Sequence, residues 1–341
     1  MKILVTGGLG YIGSHTVLCL LEQGYEPVIV DDLSNSNFEI LNILNQISGR
    51  EIDFYELDLK RIEGLNILFK DKNLDGIKHF AAYKALGESM HSPFKYYENN
   101  LISLLNILRL SIENNIRNFI FSSSCTVYGQ PKDLPINEES GFLSTPSPYG
   151  KTKQICENIL EDVSKAEEMR IYSLRYFNPI GAHNSGKLGE YQKSYPQNLV
   201  PLLTQSATGK IQKLIVHGGD YDTYDGSPIR DYIDINDLAR AHVRSLTHLI
   251  ENKKKRIYDY FNLGLGKGIS VLELISKFER VTGAKVEYEI QARRPGDVQE
   301  VFADCSKAKR VLGWEPKISL DQSLLSAYEW EIKSSELISF K

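Results

Sequence analysis

Ile3-Leu4-Val5-Thr6-Gly7-Gly8-Leu9-Gly10-Tyr11-Ile12-Gly13 decides the fold of this chain. An apolar run, read as a strand over 3–6, leads directly into Gly7-x-x-Gly10-x-x-Gly13, and a helical apolar pattern follows over 11–21. Glycines at that spacing omit the side chains that would hold a pyrophosphate away, while backbone N–H groups at the helix start point toward it. Asp31, at the end of the next apolar run, stands where a carboxylate takes the hydroxyls of an adenine ribose. Asp31 and Asp32 would repel a 2′-phosphate and no arginine is near in sequence to receive one, so the motif selects NAD over NADP.

Outward from this motif, apolar runs at 28–30, 54–57, 77–80, 119–121 and 171–174 alternate with helical patterns. Such alternation predicts parallel strands covered by helices on both faces. The expected class is α/β, a doubly wound Rossmann-type parallel sheet with a smaller C-terminal α/β substrate domain. Residues 181–230 are rich in Gly, Asn, Ser and Pro, turn at Asn184-Ser185-Gly186 and Asp225-Gly226, and read as an irregular substrate cover. A helix near 235–249 and a strand near 260–263 return to the first domain, whereas a helix near 271–281 and a long loop around 293–297 do not. Residues 1–180 with the return segment 233–264 are therefore assigned to an NAD-binding domain, and 181–232 with 265–341 to a substrate domain.

A length of 341 residues is enough for a sizeable core, and a net charge of −4 gives no nucleic-acid surface. The basic run from Lys253 to Arg256 reads as a solvated loop. Cys19, Cys125, Cys156 and Cys305 are far apart, show no Cys-x-x-Cys spacing, and are expected as free thiols rather than disulfides or metal ligands. No apolar run reaches the roughly 18 residues of a membrane span, and the first apolar stretch breaks into glycine too early for a signal peptide. A cytoplasmic location follows as an expectation.

Tyr149 and Lys153 lie four residues apart after Ser147-Pro148, which puts a phenol and an ammonium on one helical face. Ser147 suits an N-cap, Pro148 the first helical position, and Ile155, Ile159 and Leu160 continue an apolar pattern. The same spacing recurs from Tyr128 to Lys132, but Pro131 would interrupt a helix there. With Ser122-Ser123-Ser124 upstream, the pair describes a hydride-transfer site. A free phenol titrates near ~10, and Lys153, the nicotinamide cation and the helix N-terminus are expected to share the work of lowering it.

Five segments carry a resemblance: 5–15, Phe121-Ser122-Ser123-Ser124-Cys125-Thr126-Val127-Tyr128-Gly129, Ser147-Pro148-Tyr149-Gly150-Lys151, Tyr176-Phe177-Asn178-Pro179-Ile180-Gly181-Ala182-His183, and Arg230-Asp231-Tyr232. In these the chain resembles the UDP-glucose (UDP-galactose) 4-epimerases of the extended short-chain dehydrogenase/reductase family, from Met1 to about Trp330. The resemblance implies Tyr149 as the base, Ser124 as its hydrogen-bonding partner on the sugar, and Lys153 as the holder of the nicotinamide ribose. It implies further NAD contacts from Gly7, Gly10, Tyr11, Ile12, Gly13, Asp31, Asp32, Asn35, Ser36, Asp58, Leu59, Phe80, Ala81, Lys84, Asn99, Ser122 and Tyr176. UDP-sugar contacts are implied for Lys84, Asn178, Asn198, Leu199, His217, Arg230, Arg294, Asp297 and Val301. The family also implies a homodimer packed through helices near 95–113 and 149–165.

Several positions depart from the family's pattern. Ala82 and Tyr83 replace a small-then-aliphatic pair beside the nicotinamide, His217 stands where an aromatic stacks near the uracil, and Val301 occupies the position that gates the sugar's C2 substituent. Valine belongs with the small residues that admit an N-acetyl group.

The chemistry leads independently to oxidation and re-reduction. C4 of a hexose carries no acidic C–H, so inversion requires a transient ketone, with a base for the 4-OH and a hydride acceptor held beside it. A nucleotide-sugar 4,6-dehydratase would also need an Asp-Glu pair after the serine strand, where this chain has Cys125-Thr126. An NADPH-dependent reductase conflicts with Asp31. A non-catalytic dinucleotide-binding regulator would keep the glycines without needing Tyr149, Lys153 and Ser124 together.

Overall fold

The computed structural model describes residues 1–191, 193, 195–294 and 296–337. Seven strands form the main sheet: β1 (Lys2–Thr6), β2 (Glu26–Asp31), β3 (Asp53–Glu56), β4 (Gly76–His79), β5 (Asn118–Ser122), β6 (Arg170–Tyr176) and β7 (Ile257–Leu263). All are parallel, in the order β7-β6-β5-β4-β1-β2-β3. β5 is buried at every position, as a strand covered on both faces must be.

One face is covered by helices α1 (Tyr11–Glu22) and α4 (Ile235–Glu251), which pack Val17, Leu20, Leu238 and Leu246 into a common apolar cluster. The other carries α2 (Pro93–Glu113) and α3 (Pro148–Ala166), with Leu104, Ile107, Leu108, Cys156 and Leu160 inside. β1 has β2 on one side and β4 on the other, so the chain reverses its winding beside β1. That reversal opens a crevice beyond the carboxyl ends of the strands, where Gly7 and Phe80 emerge.

The alternation read from the sequence is present with small shifts. The run expected over 54–57 is Asp53–Glu56, and Phe80 stands just past β4 instead of within it. The return strand is longer than expected, pairing with β6 from Ile257↔Arg170 to Leu263↔Tyr176. Residues 181–230 are not wholly irregular: a helix spans Leu199–Ala207 and a strand Leu214–His217, because Val200, Leu203, Leu214 and Val216 supply an apolar face. That strand pairs in parallel with Tyr288–Gln291, a strand the sequence pattern does not mark. A C-terminal helix, Leu320–Leu337, also went unread; it buries Leu324 against Leu274 and Phe278 of the helix Val271–Thr282. Pro295 of the expected loop and residues 338–341 of the assigned substrate domain lie outside the described residues.

Candidate active site

Gly7 has a φ of +67°, and a Cβ placed on it would lie 2.8 Å from the backbone nitrogen of Ala81. A Cβ on Gly13 would sit 2.2 Å from the Gly7 carbonyl oxygen, so both positions exclude any side chain. Gly10 caps α1 without a side-chain bond, leaving first-turn N–H groups directed into the crevice. This cradle fits a pyrophosphate. Asp31, at the tip of β2, accepts from Leu9 N–H at 3.1 Å, Leu33 N–H at 3.1 Å and the Ser36 hydroxyl at 2.7 Å. Burial pushes its carboxyl up, and these three donors act against that. One lone pair on Oδ2 remains for a ribose hydroxyl.

Every residue named above for the cofactor lines this one cavity: Gly7, Gly10, Tyr11, Ile12 and Gly13 on one wall, Asp31, Asp32, Asn35, Ser36, Asp58 and Leu59 at one end, and Phe80, Ala81, Lys84, Asn99, Ser122, Tyr149, Lys153 and Tyr176 at the other. Ser34, Leu57, Ala82, Tyr83, Ser103 and Tyr191 join them.

The reactive end is built by α3 against β5 and β6. Ser147 caps the helix by accepting from Gly150 N–H at 3.1 Å, and Pro148 takes the first helical position. Tyr149 is thereby fixed at the helix start, 7% exposed. Lys153 donates to the Ser122 carbonyl oxygen at 2.6 Å and lies 5.9 Å from the Tyr149 ring centroid. Burial lowers the Lys153 ammonium to about 8. Ser122 Oγ and Tyr176 OH are hydrogen-bonded at 2.6 Å.

Lys153 and the helix N-terminus do not by themselves lower the phenol. Burial pushes Tyr149 up, Tyr176 adds to the rise, and the Ser124 hydroxyl pulls the other way. A lysine whose proton is directed at a carbonyl compensates little, so the chain by itself holds a neutral phenol. Ser124 Oγ also accepts from Thr126 N–H at 3.2 Å, capping the short turn Cys125–Tyr128. Cys125, the first residue of that turn, is pushed up to about 12 by burial. Thr126 Oγ1 is buried without a hydrogen-bond partner among the described residues. Neither residue offers the acid or base that a water elimination needs.

A second cavity opens from the first, with Ser34, Asn35, Ala82, Tyr83 and Lys84 lining both. Asn178, Asn198, Leu199, His217, Arg230, Arg294 and Asp297 line it, whereas Ser124, Tyr149 and Val301, expected at the sugar as well, are absent from its wall. Val301 is buried, registered opposite Arg230, and packed with Val127, Tyr128 and Phe177. His217 ends its strand with Nδ1 3.4 Å from the Ala292 carbonyl oxygen.

Arg230 departs from the planar fork expected to receive a diphosphate. Its two terminal nitrogens donate to the Ile229, Gln299 and Val298 carbonyls and, at 2.9 Å, to Asp297. Only Nε is left over. Arg294 lies 3.6 Å from Asp297, and among the described residues its Nε has no hydrogen-bond partner. Arg294 is therefore the more available guanidinium.

Sequence reasoning also missed Glu190. Its Oε1 accepts from Lys84 at 3.1 Å and Asn198 at 3.2 Å, tying together two residues expected at the ligands. Tyr83, one of the departures from the family's pattern, lines both cavities, with its backbone clamped by Asn100 on both sides and Lys95 4.5 Å over its ring.

A family model described as GDP-mannose 4,6 dehydratase matches residues 4–326. A UDP-glucose 4-epimerase of Bacillus subtilis strain 168 is 45% identical over 332 residues, 97% of each chain. Among solved structures, a UDP-glucose 4-epimerase of Bifidobacterium longum in complex with NAD+ and UDP superposes with a TM-score of 0.95 at 42% identity, over 99% of this chain and 100% of that one. A UDP-Glc/GlcNAc 4-epimerase of Campylobacter jejuni gives 0.83 at 37% identity, over 97% and 99%.

Proposed function

From its membership of the UDP-glucose 4-epimerases, in the extended short-chain dehydrogenase/reductase family, we propose that this chain interconverts UDP-glucose and UDP-galactose through a transient 4-keto sugar. The observation that carries the reading is that a glycine-cradled cavity reaching Tyr149 and Lys153 opens, past Ser34, Asn35, Ala82, Tyr83 and Lys84, into a second cavity lined by Asn178, Arg230 and Arg294. NAD, when bound, supplies the acceptor that takes the C4 hydride and gives it back to either face of the ketone.

The residues have these roles in the proposal. Gly7, Gly10 and Gly13 admit the pyrophosphate, Asp31 takes the adenine ribose, and Lys153 keeps one N–H on the Ser122 carbonyl while offering another to the nicotinamide ribose. Tyr149 removes the 4-OH proton and later returns it, with Ser124 holding the hydroxyl. Because burial raises the phenol in the protein alone, a base at neutral pH depends on positive charge brought by the cofactor beside Tyr149. Arg294 meets the diphosphate, and Arg230 does so through Nε or by exchanging its bond to Asp297. Residues 1–180 and 233–264 form the cofactor domain in this reading, and 181–232 with 265–341 the sugar domain.

The dehydratase alternative is disfavoured by Cys125 and Thr126, the reductase by Asp31. UDP-N-acetylglucosamine and its C4 epimer are proposed as further substrates, given a valine at 301 and the likeness to the Campylobacter jejuni enzyme. A homodimer through α2 and α3 is supported by Phe94, Ile102 and Leu105, which are 87%, 38% and 49% exposed along one face of α2. A cytoplasmic location is supported by four free cysteines. Among the described residues no helix is long and apolar enough to cross a membrane.

Incubation with UDP-galactose and UDP-N-acetylgalactosamine separately, without added NAD, tests the function. The expected result is conversion of both by protein that carries NAD through gel filtration. A stoichiometric requirement for NADPH would replace this reading with the reductase.

A further inference from the structure

Behind the reactive residues, on the same face of α3, lies Glu157, two turns beyond Tyr149 and one beyond Lys153. It is buried, as is Arg175 on β6, and the two form a bidentate pair: Nε reaches Oε1 at 3.0 Å and Nη2 reaches Oε2 at 2.7 Å. Arg175 also donates to Tyr128 OH at 3.0 Å, which in turn donates to Asn262 at 2.6 Å, and Tyr258 OH donates to Glu157 Oε2 at 3.1 Å. Strands β6 and β7 thus both reach the one carboxylate that α3 carries here. Its remaining acceptor site takes the Ser123 hydroxyl at 2.5 Å. The backbone of Ser123 is fixed as well, donating to the Leu174 carbonyl oxygen at 3.0 Å.

Ser123 is flanked by the two residues that the proposed chemistry uses. Ser122 presents its carbonyl to Lys153, and Ser124 places its hydroxyl beside the phenol. The helix therefore grips the end of β5 twice, once through Lys153 on Ser122 and once through Glu157 on Ser123. We propose that Glu157 is a positioning residue for the C4 chemistry: held by Arg175, it fixes Ser123 and so keeps Ser124 and the Ser122 carbonyl in register with Tyr149 and Lys153. The inference rests on the roles given to those residues above.

A buried ion pair alone would be weak grounds, since such pairs are often replaceable by apolar side chains. The Ser123 contact separates the two cases. Ser123→Ala leaves the Glu157–Arg175 pair intact and cuts only the link to the strand end, where misplacement of a reacting group is costly to rate. Turnover of UDP-galactose, its KM, the NAD content and the thermal midpoint are measured for Ser123→Ala, Glu157→Gln, the double variant and Tyr149→Phe. Ser123→Ala is expected to lower kcat at least about fivefold, with KM within about twofold and NAD content and midpoint unchanged. Glu157→Gln lowers it at least as far, and the double variant is no worse than Glu157→Gln, because both cut one tether.

A smaller fall in Ser123→Ala overturns the proposal, as does one that vanishes when rates are normalised to NAD-loaded, folded protein. Should Glu157→Gln fail to fold, Ser123→Ala decides alone. Normal turnover in Tyr149→Phe would instead remove the underlying assignment of the base. An inactive Tyr149→Phe beside a wild-type Ser123→Ala removes only the role of Glu157.

Discussion

Lys153 donates its ammonium to the Ser122 carbonyl oxygen at 2.6 Å and stands 5.9 Å from the centre of the Tyr149 ring. The cation one helical turn from the phenol is anchored to the sheet, and burial leaves the phenol protonated in the protein alone. In the proposed reaction this couples cofactor charge to base strength, since a phenol freed of its proton only beside a cationic ring would act when the hydride acceptor is oxidised and present.

Tyr149→Phe tests the proposed role of the phenol as base. It keeps the ring, which contacts Tyr96 edge-on with centroids 6.5 Å apart, and removes only the hydroxyl. UDP-galactose turnover should fall at least ~10²-fold with KM little changed. Equilibrium binding of UDP, followed by calorimetry, should match wild type. A fall under tenfold would mean that another group takes the proton.

Lys78 sits on β4 with its whole side chain buried, donating at 2.6 Å to the His242 carbonyl oxygen and, among the described residues, to no carboxylate. Burial lowers it from the ordinary 10.5 to about 7. Between those values the folded protein binds fewer protons than the unfolded chain, so stability rises with pH across that window, and below it the full cost of a buried charge is present. Lys78→Met should therefore stabilise the protein by about 2–4 kcal/mol near pH 6, with the gain shrinking as the pH approaches 10. Urea unfolding at several pH values measures it; a loss of stability at pH 6 would show that the carbonyl contact outweighs desolvation.

Which of these features the sequence discloses depends on their range. The glycine cradle, Asp31, Tyr149 and Lys153 were legible because each is set by local geometry: a strand end, a tight turn, one helical face. Glu190 was not, since its partners Lys84 and Asn198 are brought to it only by the tertiary fold, and an acid among Gly-rich residues reads as solvated. Arg230 shows the same limit from the other side. Its motif marked it as important, but nothing in Arg230-Asp231-Tyr232 says that Asp297 and three carbonyls already occupy the fork. Lys78 was invisible because a lone lysine in an apolar run is normally assigned to an edge or to water.

Asp231 gives a third prediction. Its Oδ1 accepts from Leu265 N–H at 2.7 Å, and its Oδ2 from Gly266 N–H at 3.0 Å and Ala303 N–H at 3.1 Å, so one carboxylate joins the loop after β7 to the segment just past Val301. Burial raises it to about 6 against the pull of those donors. Asp231→Asn removes a buried charge, yet turns an NH2 group toward at least one N–H donor. The net effect should be destabilising by about 2–3 kcal/mol, because an unsatisfied buried donor costs more than the charge relief returns. Since Arg230 is the adjacent residue, KM for UDP-galactose should rise as well. A thermal midpoint at or above wild type would refute the account.

Val301 gives the last. The valine packs with Val127, Tyr128 and Phe177 behind the wall of the second cavity, in register with Arg230, which is part of that wall. A tyrosine there cannot be housed in the same cluster, which is closed on the inner side by the fully buried Tyr128. Its ring must turn toward the sugar, taking the space an N-acetyl group on C2 would need. Val301→Tyr should then lower kcat/KM for UDP-N-acetylgalactosamine more than about a hundredfold, a cost of about 3 kcal/mol, with UDP-galactose affected less than about tenfold. Val301→Ala, which only empties volume from the cluster, should keep both activities while lowering stability by about 1–2 kcal/mol. Equal losses on both sugars in Val301→Tyr, at unchanged thermal midpoint, would place the C2 gate elsewhere along the cavity.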